Sequence, residues 1–278
     1  MLKTMVRGGG AQRGEAPRAG RAHGGRCPSA GRERAAPYWL YGLHPVAAAL
    51  GNPARRLRRL VATEEALRRL AQVLPAGLPV APERAPAEAI ARLVPPGAVH
   101  QGLALLADPL SPPPLAEALA ASPGPVVVLD QVTDPRNVGA VLRSAAAFGA
   151  ASVIVQDRHA PGESGAMARA AAGALDRIPL LRAVNLARTL EALKQAGLWV
   201  VGLEASAERT LASAGLGDRR LALVLGAEDE GMRRLTREGC DLLVRLPQTR
   251  AVESLNVSVA AAVALYAVQA PRLETLAA

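Results

Sequence analysis

Aromatic side chains are scarce in this 278-residue chain, which holds one Phe, two Trp and three Tyr. Its interior must therefore be built from Ala, Leu and Val, small side chains that let backbone elements approach closely. Half of the residues are hydrophobic, enough for a sizeable core. Lysine is nearly missing: Lys3 and Lys194 are the two, and arginine carries the positive charge. The two cysteines, Cys27 and Cys240, lie far apart with no Cys-x-x-Cys, which argues against a disulfide framework or a zinc site, and no metal is expected. The longest apolar stretch, around Val257 to Ala270, is interrupted by Ser258 and Gln269 and is too short to span a bilayer. Residues 1–36 contain no apolar leader. These absences point to a soluble, cytoplasmic protein.

The net charge of +9 is unevenly distributed. Residues 1–36 hold eight basic and two acidic side chains, residues 37–107 eight and four, and residues 108–278 seventeen and eighteen. A preference for Arg over Lys follows from compositional bias, but bias does not produce this asymmetry. A basic surplus confined to the first third is the footprint of a polyanion-binding region, so nucleic acid is the expected partner.

Composition and periodicity divide the chain into four parts. Residues 1–36, rich in Gly, Arg and Ala without apolar period, read either as a disordered basic arm or as an extension without a role. Residues 37–107 alternate short strand and helix patterns, with Leu67, Leu70 and Leu74 at helical spacing, and form a small α/β domain. Residues 108–123 carry Pro109, Pro112, Pro113 and Pro114 and read as a linker. From 124 to 278 the pattern is strand PVVVLDQV, helix NVGAVLRSAAAFGA, strand ASVIVQ, a helix through SGAMARAAAGAL, then further strands at IPLLRA, LWVVGLE, RLALVLG and DLLVRLP. SLNVSVAAAVALYAVQA closes the chain as a long apolar helix. Such alternation implies a mostly parallel sheet covered on both faces. No G-x-G-x-x-G follows its first strand, so a nucleotide-like ligand would be held in some other way than the dinucleotide fingerprint.

Three segments of this larger part carry polar residues that a purely structural role explains incompletely. In Asp134-Pro135-Arg136-Asn137-Val138-Gly139, Pro135 makes a turn and Asn137 is a candidate helix cap. Arg143 lies off the stripe of Val138, Val141, Leu142 and Ala145, flanked by Ala140 and Ala147, which leave room for a ligand or another chain. In Leu223-Val224-Leu225-Gly226-Ala227-Glu228-Asp229-Glu230-Gly231, a strand meets a glycine that permits close backbone approach, and then three carboxylates that a helix's first turn would accommodate. In Leu246-Pro247-Gln248 and Ser254-Leu255-Asn256-Val257-Ser258, a strand ends, a polar loop crosses, and a helix starts at a Ser/Asn cluster that either caps it or forms a binding corner.

Taken in order and at this spacing, DPRNVGAVLRSAAAFGA, LVLGAEDEGMRRLTREGCD and LPQTRAVESLNVSVAAAVALY resemble the three motifs of the SpoU class of knotted RNA methyltransferases. YGLHPV and VHQGLALLA resemble the small ribosomal-protein-like RNA-binding domain that precedes the catalytic domain in many members, so the likeness covers roughly residues 38–270. It is greatest to enzymes that methylate a guanosine ribose in large-subunit ribosomal RNA. The resemblance implies a deep trefoil knot, a homodimer in contact through the knotted domains, and S-adenosylmethionine held largely by backbone at Gly226, Leu246 and Leu255. Asn137, Arg143, Glu228, Ser254 and Asn256 match the family's polar positions, Arg143 the one assigned to activating the 2′-hydroxyl. A guanidinium is an unpromising base by itself; an RNA phosphate set against the hydroxyl by Arg143 could assist, and the proton state of Arg143 is left open. Two positions depart from the family pattern: Gln248-Thr249-Arg250 replaces a frequent Met-x-Gly, and Glu253 stands where a small residue is usual. Transfer RNA as substrate, or RNA binding without chemistry, are the alternatives.

Overall fold

The structure, a computed structural model, describes residues 36–249, 251 and 254–277. The basic arm, apart from its last residue, and the divergent Arg250 and Glu253 lie outside the described residues.

The small domain is built on β1 (Tyr38–Tyr41), α1 (Leu43–Gly51), β2 (Leu57–Ala62), α2 (Glu64–Val73), β3 (Pro82–Arg84), α3 (Ala87–Ala91) and β4 (Leu103–Ala107). Its sheet has the order β1-β4-β2-β3, with β4 antiparallel to both neighbours and β3 parallel to β2. Thr63 caps α2 through its hydroxyl, which accepts from Ala66 N, and Glu64 and Glu65 complement the helix dipole in the first turn. The proline-rich stretch is more than a connector. Once Pro112–Pro114 have passed, α4 (Leu115–Ala121) forms and buries Ala118 and Leu119, because nothing after Pro114 interrupts an Ala/Leu helix former.

The larger domain continues with β5 (Val126–Leu129), α5 (Pro135–Ala147), β6 (Ser152–Gln156), α6 (Gly165–Ala171), β7 (Leu180–Ala183), α7 (Leu186–Gln195), β8 (Trp199–Leu203), β9 (Leu221–Leu225), α8 (Arg234–Glu238), β10 (Leu242–Val244) and α9 (Val257–Ala277). All six strands are parallel, in the order β10-β8-β9-β5-β6-β7. Central β5 and β9 are buried along their whole length, as uninterrupted apolar runs in a two-sided parallel sheet must be. From β5 the chain builds outward through β6 and β7, then fills the other side, so the order reverses between β5 and β9. In open α/β sheets, ligands sit beyond the strands' carboxyl ends at such a reversal.

Three local expectations change. The cap of α5 is Asp134, whose carboxylate accepts from Arg136 N at 2.8 Å, with Pro135 preset as the first helical residue. Asn137 therefore falls inside the first turn with its amide free for other partners. Helix α6 stops at Ala171, because Ala172 and Gly173 both take left-handed backbone. Glu228, Asp229 and Glu230 lie on a tight loop rather than in a helix's first turn, since α8 begins only at Arg234.

The two domains share one apolar cluster, which runs from Leu40, Val46 and Leu105 into Val138, Met167 and Leu175. Across it, the buried Arg55 of the small domain pairs with Glu163 and Asp176 of the larger one, each at 2.8 Å. Tyr38 donates its hydroxyl to Glu163 at 2.8 Å. Burial, reinforced by the Glu163 charge, pushes the Tyr38 phenol well above its ordinary range.

Candidate active site

Strand β9 delivers Gly226 at its carboxyl end, and the chain turns back at once: Gly231 N donates to Ala227 O at 2.9 Å. A Cβ on residue 226 would lie 2.1 Å from the Gly231 carbonyl carbon, so only glycine permits the loop. The close approach anticipated for a ligand is thus made first by the protein's own backbone. This fold-back carries Glu228 toward the start of α5 and the start of α9.

Three side chains remote in sequence meet there. Glu228 Oε1 accepts from Asn256 Nδ2 at 2.6 Å, Asn137 Nδ2 at 3.1 Å and Val257 N at 3.3 Å. Asn256 Nδ2 also donates to Asn137 Oδ1 at 3.1 Å. Asn256 Oδ1 meanwhile accepts from Ser258 N at 3.0 Å, the bond by which an N-cap satisfies the first turn of a helix. One amide thus caps α9 with its oxygen and closes the polar triad with its nitrogen. The capping reading of the Ser/Asn cluster is therefore realised, and the same residue also joins the polar triad.

Beside the triad, at the carboxyl ends of β8 and β9, lies a cavity of about 380 Å³. Gly226, Leu246 and Leu255 all line it, as do Ser254 and Glu228. Its walls are otherwise apolar at Leu203, Leu225 and Val257 and acidic at Glu204, Asp229 and Glu230. The volume suits a small organic ligand, the aliphatic walls suit a flat heterocycle, and the carboxylates suit a positive charge. S-adenosylmethionine, with an adenine and a sulfonium, fits that donor set.

Arg143 is elsewhere. It lies six residues along α5 from Asn137, about 9 Å up the axis and on another face. Its side chain is exposed and lines a separate hollow of about 690 Å³ with His44, Arg169 and Arg177. Within one chain, then, seven of the eight expected residues border one site and Arg143 does not.

Sequence reasoning missed two groups. Asp130, fully buried at the end of β5, accepts from Arg233 N at 2.9 Å and Arg233 Nε at 2.8 Å, tying the strand that precedes the first motif to the second motif just ahead of α8. Glu204, at the end of β8, accepts from Ser206 Oγ at 2.7 Å and pairs with Arg237 at 2.8 Å while lining the cavity. The signal was present: a carboxylate directly after an apolar run, in VVVLD and WVVGLE, marks the ligand-binding end of a parallel strand. Among the described residues, no group of three or more His, Cys, Asp or Glu could hold a metal ion, and no helix is long and apolar enough to cross a membrane.

Comparison with known proteins gives a family match for each domain. Residues 124–266 match the SpoU rRNA Methylase family, and residues 39–113 match the family described as RNA 2′-O ribose methyltransferase substrate binding. The chain is 42% identical to the 23S rRNA (guanosine-2′-O-)-methyltransferase of Bordetella pertussis over 82% of its own length and 94% of that protein. It is 54% identical to the enzyme of the same description from Nitrosomonas europaea, over 52% of this chain and 55% of that one. Among solved structures, the SpoU methyltransferase AviRb of Streptomyces viridochromogenes, in complex with AdoMet, superposes with a TM-score of 0.73 at 22% identity, covering 86% of this chain and 91% of that one; this likeness concerns the fold. A crystal structure described as an RNA 2′-O ribose methyltransferase superposes with a TM-score of 0.68 at 28% identity, over 85% of this chain and 89% of the other. With both family matches falling on the two domains the fold displays, this chain belongs to the SpoU rRNA methylase family.

Proposed function

We propose that this protein transfers a methyl group from S-adenosylmethionine to the ribose 2′-hydroxyl of a guanosine in 23S ribosomal RNA, and that it does so as a homodimer. The observation that carries the proposal is the meeting of Asn137, Glu228 and Asn256, one from each motif, at the rim of a cavity lined by Gly226, Leu246 and Leu255.

S-adenosylmethionine supplies a methyl group already activated on a sulfonium. The acceptor hydroxyl is a poor nucleophile until its proton is polarised or removed. In this reading the rigid triad fixes the start of α9 and so the backbone at Leu255, while Ser254 offers a hydroxyl at the cavity mouth. Arg143 sets an RNA phosphate against the ribose hydroxyl and offsets the charge that develops there. In this reading the hydroxyl proton passes to the phosphate that Arg143 holds, so Arg143 positions and neutralises while the phosphate serves as the base. Much of the rate comes from holding the attacking oxygen in line.

In this reading Arg143 comes from a second subunit, a placement supported by its distance from the cavity of its own chain. The surface supports such a pairing. Val259, Val263 and Tyr266 form an exposed apolar stripe on α9, and Tyr266 meets Phe148, which ends α5, edge to face. Val259, Val263 and Tyr266 recur at helical spacing on the helix that packs against α5, and a symmetric contact there would bury them and bring Arg143 toward the partner.

A trefoil knot is supported by the path of the chain. Strand β10 lies outside β8, beyond β9, yet α9 returns to pack against α5 and β9. On the way, Glu204 N donates to Val244 O, Arg245 N to Arg209 O and Leu211 N to Arg245 O, so residues 244–245 run alongside the crossover that follows β8. Cytoplasmic location goes with a ribosomal RNA substrate.

The test is transfer of label from S-adenosylmethionine to ribosomal RNA isolated from a strain lacking the gene, followed by mapping of 2′-O-methyl sites. The expected product is one methylated guanosine in 23S RNA. Binding of cofactor and RNA with no transfer would leave an RNA-binding protein without chemistry, and transfer to transfer RNA alone would move the substrate assignment.

A further inference from the structure

The hollow that holds Arg143 is unlike the rest of the surface. His44, from the small domain, meets Arg143, Arg169 and Arg177, from the larger one, and no carboxylate lines it. Several arginines elsewhere are matched: Arg58 with Asp108, Arg59 with Glu83, Arg84 with Glu64, Arg234 with Glu238. Among the described residues, Arg143, Arg169 and Arg177 form no ion pair with a carboxylate. Clustering three permanently charged groups without a counter-charge costs folding energy through repulsion, so the arrangement calls for an anion from outside.

The chain is shaped to assemble this cluster. Gly42 has φ +88 and no side chain, and a Cβ there would lie 3.1 Å from Arg169 Nη1. The glycine of YGLHPV thus makes room for a guanidinium of the other domain, and two residues later His44 reaches the same hollow. On the far wall, α6 ends with Ala172 at φ +50, a left-handed conformation that is unfavourable for a non-glycine residue. That turn starts the short segment which ends on Arg177. The walls between the cations are Ala146, Ala147, Ala170 and Ala171, side chains small enough for a sugar-phosphate backbone to lie against them.

We propose that this hollow is an RNA phosphate-binding site in which Arg169, Arg177 and His44 hold the backbone beside the target nucleotide, leading the strand from the small domain to Arg143. The assignment rests on the methyltransferase reading for its choice of RNA as the anion. Arginine suits the task because its planar fork binds a phosphate through two hydrogen bonds at once. Arg169 and Arg177 are binding residues here, and Arg143 alone also serves the reacting hydroxyl.

The test measures binding of a 23S RNA fragment across a range of salt concentrations, separately from methyl transfer, with the full-length protein. Arg169→Ala and Arg177→Ala are each expected to weaken RNA binding and to flatten the dependence of log K on log salt by about one unit, and the double variant by about two. Arg177→Glu, at an exposed position that tolerates charge, is expected to weaken binding further, and His44→Ala to weaken it modestly. Cofactor binding should be unchanged, and KM for RNA should rise much more than kcat falls. Equal affinity and an equal salt slope for wild type and the double variant would overturn the proposal, as would a wild-type protein that does not bind the fragment. Weakened binding in the variants, with no methyl transfer by the wild type to any RNA, would keep the phosphate site and sink the methyltransferase reading instead.

Discussion

Asn256 Nδ2 stands 2.6 Å from Glu228 Oε1, while the oxygen of the same amide caps the last helix. The site and the fold therefore share a side chain, and damage to one reaches the other. Asn256→Ala is expected to cost about 1 kcal/mol from the lost cap and to abolish methyl transfer. Asn256→Asp keeps a cap acceptor but sets a second carboxylate against Glu228. It should be inactive at neutral pH and regain some transfer as the pH falls and one of the two acids takes up a proton. Thermal melts and transfer rates from pH 5 to 8 check both.

A second consequence concerns the joint between the domains. The Arg55 side chain is wholly buried between Glu163 and Asp176. Arg55→Met leaves two carboxylates without their cation in a low-dielectric interior. The expected loss is about 3–5 kcal/mol, read as a lower urea midpoint. Because Arg55 is far from the triad in the chain and in role, cofactor affinity of the folded variant should stay near wild type.

Alkaline pH provides a third check. Burial pushes the Cys240 thiol, whose ordinary value is 9.0, up to about 12. Above pH 9 the unfolded chain releases this proton while the folded chain retains it, so the stabilisation is complete below pH 9 and is lost as the pH climbs toward 12. Tyr38, raised in the same sense from 10.0, adds to the decline at higher pH. Cys240→Ala should flatten the fall in stability just above pH 9. Wild-type Cys240 should react slowly with alkylating reagents at pH 8, where few thiolates form.

Much of this was legible in the residues. Apolar runs such as VVVL and LALVL announce buried parallel strands, and the order of strand and helix patterns gives the two-domain layout. Asn137, Glu228 and Asn256 were singled out together by the motif resemblance; each sits just past a strand end or at a helix start, on a common edge of the sheet. Other features depend on three-dimensional context. Asp134 competes with Asn137 for the cap, and only the preset φ of Pro135 decides between them. Arg55 resembles its exposed neighbours Arg56, Arg58 and Arg59 in sequence, and is buried because Glu163 and Asp176, more than 100 positions away, close over it. The resemblance implied sites drawing on both subunits, and helical geometry turns Arg143 away from the triad of its own chain, which sequence spacing alone does not reveal.

That separation makes one experiment decisive. If each site takes its triad from one subunit and Arg143 from the other, two inactive variants should complement. Arg143→Ala and Asn256→Ala proteins, each unfolded and then refolded together in equal amounts, should recover roughly a quarter of wild-type methyl transfer, from symmetric pairing in which half the dimers hold one intact site. No recovery in a mixture shown to contain mixed dimers, or a fully active Arg143→Ala enzyme, would contradict it.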